Sequence, residues 1–311
     1  MKTIDILCIG EILIDFIGHE KNASISDTKN YHRFLGGSPT NVAVNAARLG
    51  LNSAIIASCG KDGLGDFIVD KLKDNDVDTS YIHRASGLPT SIILVSKSID
   101  TPDFTAYREA DCVIPEELVT DALLDLSKIY HTTCFALSKN PARNTILKGA
   151  QRASQLGLQL SIDLNYSEKI WPDRKKAKEV ISEYLSYNPL LKISIDDCYR
   201  YFDSHKSDDE IFDYFHSLGV TTICLTKGKE GVTVSDLNFG LLHQEALKIS
   251  DIKDVTGAGD AFWAGFLYAQ IQSKSLRESI SMAQKLATIK LQNVGRLPDM
   301  VGLKNIFNDL V

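Results

Sequence analysis

The 311-residue sequence predicts an α/β fold: a three-layer, doubly wound and mainly parallel sheet carrying a small antiparallel β lid. Three observations predict it. Short β-branched runs alternate with amphipathic helical patterns along most of the chain, which implies βαβ crossovers. Five of the strand-like runs are almost wholly apolar, as strands covered on both faces must be. Two further segments have no room for a crossover helix and read as antiparallel ribbons projecting from the main sheet.

Residues 4–9 form the first buried strand. Residues 12–35 follow as a ribbon, with Ile12, Ile14 and Phe16 alternating before polar turn residues. Over 40–49, Val42, Ala46 and Leu49 share one helical stripe, and Gly50 stands where a C-cap glycine belongs. Residues 53–58 are the next strand. The second ribbon, 88–107, holds runs at 91–96 and 104–107 around a turn at Asp100–Pro102. Strands at 129–133, 158–163, 191–195 and 221–226 alternate with helices at 141–155, 175–187 and 208–218. In the first of these helices Ile146, Ala150 and Ala153 line up ahead of Gly157. A last helical run spans 263–271. No repeat, low-complexity tract or linker separates sequential domains. The expected division is an α/β core (1–11, 36–87 and 108–311) and a β lid (12–35 and 88–107).

Composition narrows the function classes. Apolar residues make up 44% and charged residues 24%, with ordinary glycine and proline usage, so collagen-like and disordered chains are excluded. Thirty-four basic against forty acidic residues give a net charge of -6, which disfavours a nucleic-acid coat protein. The apolar stretch near the start is interrupted by Asp5, Glu11 and Asp15, too short and acidic for a membrane span or a signal peptide. The six cysteines form no CxxC pair, which suits reduced, buried thiols. The seven histidines form no HxxxH or HExxH. The expectation is a cytoplasmic protein without a structural metal, a nucleic-acid partner or a membrane partner.

Two glycine-rich segments carry the chemistry. In Asp254-Val255-Thr256-Gly257-Ala258-Gly259-Asp260, small residues at a loop-to-helix junction let backbone N–H groups approach an anion, and the helix N-terminus adds positive potential. Asp260 beside a phosphate makes sense as a base taking a proton from an attacking hydroxyl. Alone, the segment is equally a tight turn with a helix-start acid. It is not a Walker A loop, since no Gly-Lys-Ser/Thr follows, nor a dinucleotide fingerprint, since Phe262 stands at the third small position. In Gly36-Gly37-Ser38-Pro39-Thr40-Asn41, paired glycines precede a helix, and Asn41 offers a donor and an acceptor suited to a polyol.

Together, in this order and spacing, the two segments resemble the signatures of the ribokinase/PfkB carbohydrate kinase family, most like its fructokinases. The resemblance runs nearly end to end. It includes Gly10-Glu11-Ile12-Leu13-Ile14-Asp15, Gly60-Lys61-Asp62-Gly63-Leu64-Gly65, Tyr107-Arg108, Asp163-Leu164-Asn165 with Trp171, and Thr226-Lys227-Gly228 with Gly231. It implies that a sugar hydroxyl attacks the γ-phosphate of ATP, with Mg2+ bridging the phosphates. By resemblance Asp260 is the base, and Gly257, Ala258 and Gly259 form the anion hole. Asp15, Gly36, Gly37, Asn41 and Arg108 map to the sugar side. Thr226, Gly228, Gly231 and Gln284, which lies upstream of Gly295, map to the nucleotide, and Lys192 and Asn165 to its phosphates. Asp254 and Thr256 map to a region that binds a monovalent cation in some relatives, with K+ the ion in question. Asp197 maps to a metal-bound water.

Several positions depart from the family pattern. Ser167 replaces the arginine of Asp-x-Asn-x-Arg, which weakens the case for an acidic sugar, whose carboxylate wants a guanidinium partner. Ser194-x-x-Asp197 stands for Asn-x-x-Glu, and Lys227 for an apolar residue. The leading expectation is an ATP-dependent kinase of fructose or a similar ketose. The alternatives are a kinase of 2-keto-3-deoxygluconate or an inositol-derived keto acid, a nucleoside kinase, a non-catalytic sugar or nucleotide sensor, and a nicotinamide oxidoreductase. The last lacks an N-terminal GxGxxG. A homodimer through the two ribbons is the expected assembly.

Overall fold

The computed structural model describes residues 2–97, 103–249 and 251–293. The turn expected at Asp100–Pro102, and Gly295, lie outside the described residues. The chain runs through β1 (Ile4–Ile9), β2 (Leu13–Lys21), β3 (Tyr31–Gly36), α1 (Ser38–Arg48), β4 (Ser53–Gly60), α2 (Gly63–Lys73), β5 (Val77–Asp78) and β6 (Ile82–Ala85). Next come β7 (Ile92–Lys97), β8 (Phe104–Tyr107), α3 (Asp121–Asp125), β9 (Ser127–Thr133), α4 (Ala142–Gln155), β10 (Gln159–Asp163), α5 (Arg174–Leu185) and β11 (Leu190–Ser194). It continues with α6 (Ile195–Phe202), α7 (Asp208–Ser217), β12 (Thr222–Thr226), β13 (Val232–Asp236), β14 (Gly240–Gln244), α8 (Ala258–Ile271) and α9 (Leu276–Leu291).

The large sheet has the order β14-β13-β12-β11-β10-β9-β1-β4-β5, with β6 also on β4. Pairing is parallel from β5 to β12, and the β12–β13 and β13–β14 pairs are antiparallel. Apolar alternation within the central strands explains the two covered faces. In β1, Leu7 and Ile9 enter a core shared with Ile146, Ala177 and Phe215, whereas Ile6 and Cys8 enter one shared with Val42, Ile68 and Phe266. Helices α4, α5 and α7 therefore cover one face, and α1, α2, α8 and α9 the other. All six cysteines are buried free thiols.

The two ribbons combine into a four-stranded sheet ordered β3-β2-β7-β8. Each ribbon is antiparallel internally, and the two join through a parallel β2–β7 pair. This sheet leaves the main one directly after β1, so its first strand starts beside the carboxyl ends of β1 and β9. Crevices at strand carboxyl ends are where open α/β sheets bind ligands. Among the described residues no helix is long and apolar enough to cross a membrane.

Candidate active site

The two glycine-rich segments lie far apart in sequence and meet in space. Gly257 adopts φ +74°, a left-handed conformation that turns the chain into α8 and places Asp260 in its first turn. The positive end of the helix favours a carboxylate there. Asp260 Oδ1 accepts from Ser38 Oγ at 2.6 Å, and Oδ2 accepts from Asn41 Nδ2 at 2.8 Å. One bond per oxygen leaves each with lone-pair capacity. Burial raises the Asp260 carboxyl above its ordinary value, opposed by the Ser38 bond and by the charges of Lys192 and Lys290.

The sugar-side prediction of Asp15, Gly36, Gly37 and Asn41 forms one cluster. A Cβ on Gly36 would lie 2.5 Å from Asp15 Cγ, so glycine there lets the carboxylate turn toward α1. Gly37, at φ +99°, passes over the Glu11 carbonyl too closely for any side chain. Burial, reinforced by the Asp260 charge, pushes the Asp15 carboxyl up to about 7. Asp15 and Thr256 sit where two cavities meet. One, of about 530 Å³, is lined by Asn41, Asp254, Gly257 and Lys290. The other, of about 560 Å³, is lined by Phe135, Asn165, Asp197 and Arg200.

On the side expected to meet phosphate, Lys192 is buried in the middle of β11, with Nζ 2.7 Å from Asp163 Oδ2. The same ammonium lies 3.0 Å from where a Cβ on Gly259 would stand, directly beneath the first turn of α8. Burial works against its charge, but Asp163, Asp197 and Asp260 hold Lys192 above the ordinary lysine value. Asp163 is pushed up to about 6 by burial, against the pull of Lys192, and its Oδ1 is buried without a partner among the described residues. Asn165 Oδ1 accepts from the Phe135 N–H at 3.1 Å. Thr226 ends β12, and Gly228 and Gly231, both at positive φ, form the turn beyond it. Lys227 is tied by an ion pair to Asp208 in α7.

Other predicted residues are engaged elsewhere. Arg108 lines neither cavity: it is buried, with Nη2 2.6 Å from Asp111 Oδ2, a further bond to Ser138 Oγ and its guanidinium stacked on Phe135. A guanidinium so committed braces the loop after β8. Gln284 is neither exposed nor open: it accepts from Gln244 Nε2 at 2.7 Å and donates to the Glu245 carbonyl at 2.9 Å, clasping β14 to α9. Asp197 closes a capping box with Ser194 and takes Arg200 Nη2 at 2.6 Å, so both its oxygens have protein partners. Asp254 accepts from Lys290 Nζ at 3.1 Å and from the Thr256 N–H at 3.0 Å.

Sequence reasoning gave no role to four residues that lie here. Glu11 follows β1 and accepts from the Ser38 N–H at 3.0 Å and from Thr133 Oγ1 at 2.8 Å, which locks the start of α1 to the sheet. Burial pushes its carboxyl up to about 8. Ser38, Asp163 and Lys290 are the others. An acid at or just past the end of a buried apolar strand was the available signal for Glu11 and Asp163; Lys290 carried none.

A family model described as pfkB family carbohydrate kinase matches residues 3–300. The chain is 32% identical over 314 residues to an ATP-dependent 6-phosphofructokinase of Thermoanaerobacterium thermosaccharolyticum, covering 99% of this chain and 95% of that one. The structure of Halothermothrix orenii fructokinase is similar with a TM-score of 0.82 at 33% identity, over 93% of this chain and 100% of that one. An uncharacterized sugar kinase of Pyrococcus horikoshii in complex with ATP is similar at TM-score 0.81 and 25% identity, over 93% of each chain. With a family match across nearly the whole length and a fold to suit it, this chain belongs to the pfkB family of carbohydrate kinases, phosphotransferases that act on sugar hydroxyls.

Proposed function

We propose that this chain transfers the γ-phosphoryl group of ATP to a hydroxyl of a ketose, fructose or a close analogue, with Asp260 as the base. The observation that carries the reading is the junction at Asp260. A carboxylate oriented by Ser38 and Asn41 stands in the first turn of α8, between an open glycine loop and the Asp15 carboxylate. The sugar lies against Asp15 and Asn41, where two carboxylate oxygens accept from neighbouring hydroxyls. The attacking oxygen forms its bond to the γ-phosphorus, its proton passes to Asp260, and the bond to the bridging β-oxygen breaks to release ADP. Phosphoryl transfer of this kind needs alignment and charge neutralisation more than covalent chemistry.

The Gly257–Gly259 amides and Lys192 would meet the transferred group, and Thr226, Gly228 and Gly231 the nucleotide. Mg2+, when bound, neutralises charge on the phosphate oxygens. Such an ion keeps much of its water and draws most other ligands from the substrate, so it asks for few carboxylates. Asp163, with a buried oxygen lacking a partner among the described residues, fits that demand. The small sheet roofs the site as a lid, since Asp15 and Ile17 of β2 line both cavities.

The relative named as a 6-phosphofructokinase makes a phosphorylated ketose the specific second reading. Purified protein with ATP and magnesium should release ADP with fructose or fructose 6-phosphate and far less with 2-keto-3-deoxygluconate. Turnover of the keto acid alone would overturn the ketose assignment, and none with any sugar would overturn the kinase reading.

A further inference from the structure

Two buried lysines flank the first turn of α8, each held by an aspartate. Lys192 with Asp163 lies beneath Gly259. Lys290 with Asp254 lies beside Gly257, its Cε 3.7 Å from where a Cβ on that glycine would stand. The second pair occupies the place where the resemblance calls for a monovalent cation. K+ there would need the Asp254 carboxylate, and the residues present do not fit it. Asp254 Oδ2 already receives the Lys290 ammonium at 3.1 Å, and Oδ1 the Thr256 N–H at 3.0 Å. Two positive charges crowded against one carboxylate in a partly buried site repel each other strongly.

We infer that Lys290 is a covalently attached cation that takes the place of a monovalent ion at this loop, leaving the enzyme independent of potassium. The inference rests on the kinase reading above. An ammonium carries the same charge as K+ and adds directed donors. The lysine is 6% exposed, and its stem descends from the last turn of α9. That helix end also anchors the loop, because the Lys253 N–H donates to the Leu291 carbonyl at 2.8 Å. α9 is itself seated tightly on α8, where a Cβ on Gly265 would come 2.9 Å from Ala283 Cα. Lys290 thus fixes the strand of chain that enters Gly257 and offsets the cost of a buried charge at Asp260, on which its charge acts. It is a positioning residue: it shapes the anion loop from behind.

The test compares ADP release in potassium, sodium and tetramethylammonium chloride at equal ionic strength. Wild-type rates should agree within about twofold, since exposed charge effects are matched by the salt. Lys290→Ala and Lys290→Gln should lose on the order of 10²-fold in tetramethylammonium, the scale of one lost electrostatic contact at a reacting anion, and recover in potassium. The thermal midpoint of the wild type should be the same in all three salts, while that of each variant should rise selectively in potassium. Saturable activation of the wild type by potassium, or wild-type rates from both variants in tetramethylammonium, would overturn the inference. Absence of turnover in every salt would count against the kinase reading instead, and the midpoints would still decide the role of Lys290.

Discussion

At the β3–α1 junction the glycines make room for the protein's own atoms; at the entry to α8 they face open space and two lysine stems. A side chain on Gly36 or Gly37 would collide with Asp15, Leu13 or the Glu11 carbonyl. Among the described residues, one on Gly257 or Gly259 would meet Lys290, Lys192 and Asp260. The first junction is packed, and its job is to bring Asp15, Ser38 and Asn41 into register with the sheet. On the proposed mechanism, the second is a cradle whose backbone amides and buried cations meet an anion. Similar composition therefore serves positioning in one place and ligand approach in the other.

The same substitution at both junctions should separate these roles. Gly259→Ala places a methyl group 3.0 Å from Lys192 Nζ, which Asp163 holds in place. Expected is a loss in kcat of at least about tenfold, one disturbed contact to the transferred group, with little change in unfolding midpoint. Gly36→Ala overpacks the Asp15 carboxylate and should cost about 1–3 kcal/mol in denaturant unfolding, with a raised sugar KM. Equal stability losses at the two sites would erase the contrast.

A smaller effect tests the electrostatics of the packed junction. With Asp15 pushed up to about 7, the folded protein binds more protons than the unfolded chain between about pH 4 and 7. That difference makes stability fall as pH rises through the window. Asp15→Asn removes the penalty, so its midpoint should exceed the wild type by about 2 °C or more at pH 8 and match it near pH 4. In the wild type, sugar KM should rise as pH falls below about 7, because a protonated Asp15 accepts fewer hydroxyl bonds. A pH-independent midpoint difference would show that Asp15 is not charged at a cost.

Much of this was legible in local sequence. The central strands are apolar on both faces because both faces are covered, and their bounds fall within about two residues of the expected ones. The glycine segments could be read because backbone approach and helix capping are local requirements. What could not be read depends on tertiary pairing. Gln284 falls on a buried face of α9 opposite Gln244, which no helical periodicity reveals. Lys290 is one lysine among many until α9 folds back against the loop at Asp254.

The central claim is that Asp260 takes the proton of the attacking hydroxyl. The most direct measurement is ADP release by Asp260→Asn and wild type side by side, with saturating ATP, magnesium and the preferred ketose. Nucleotide affinity is followed by calorimetry in the same samples. Expected is a fall in kcat of about 10²–10⁴-fold, the span for a lost general base, with ATP affinity within a few-fold of wild type. An asparagine variant that turns over at a rate comparable to the wild type would remove Asp260 as the base.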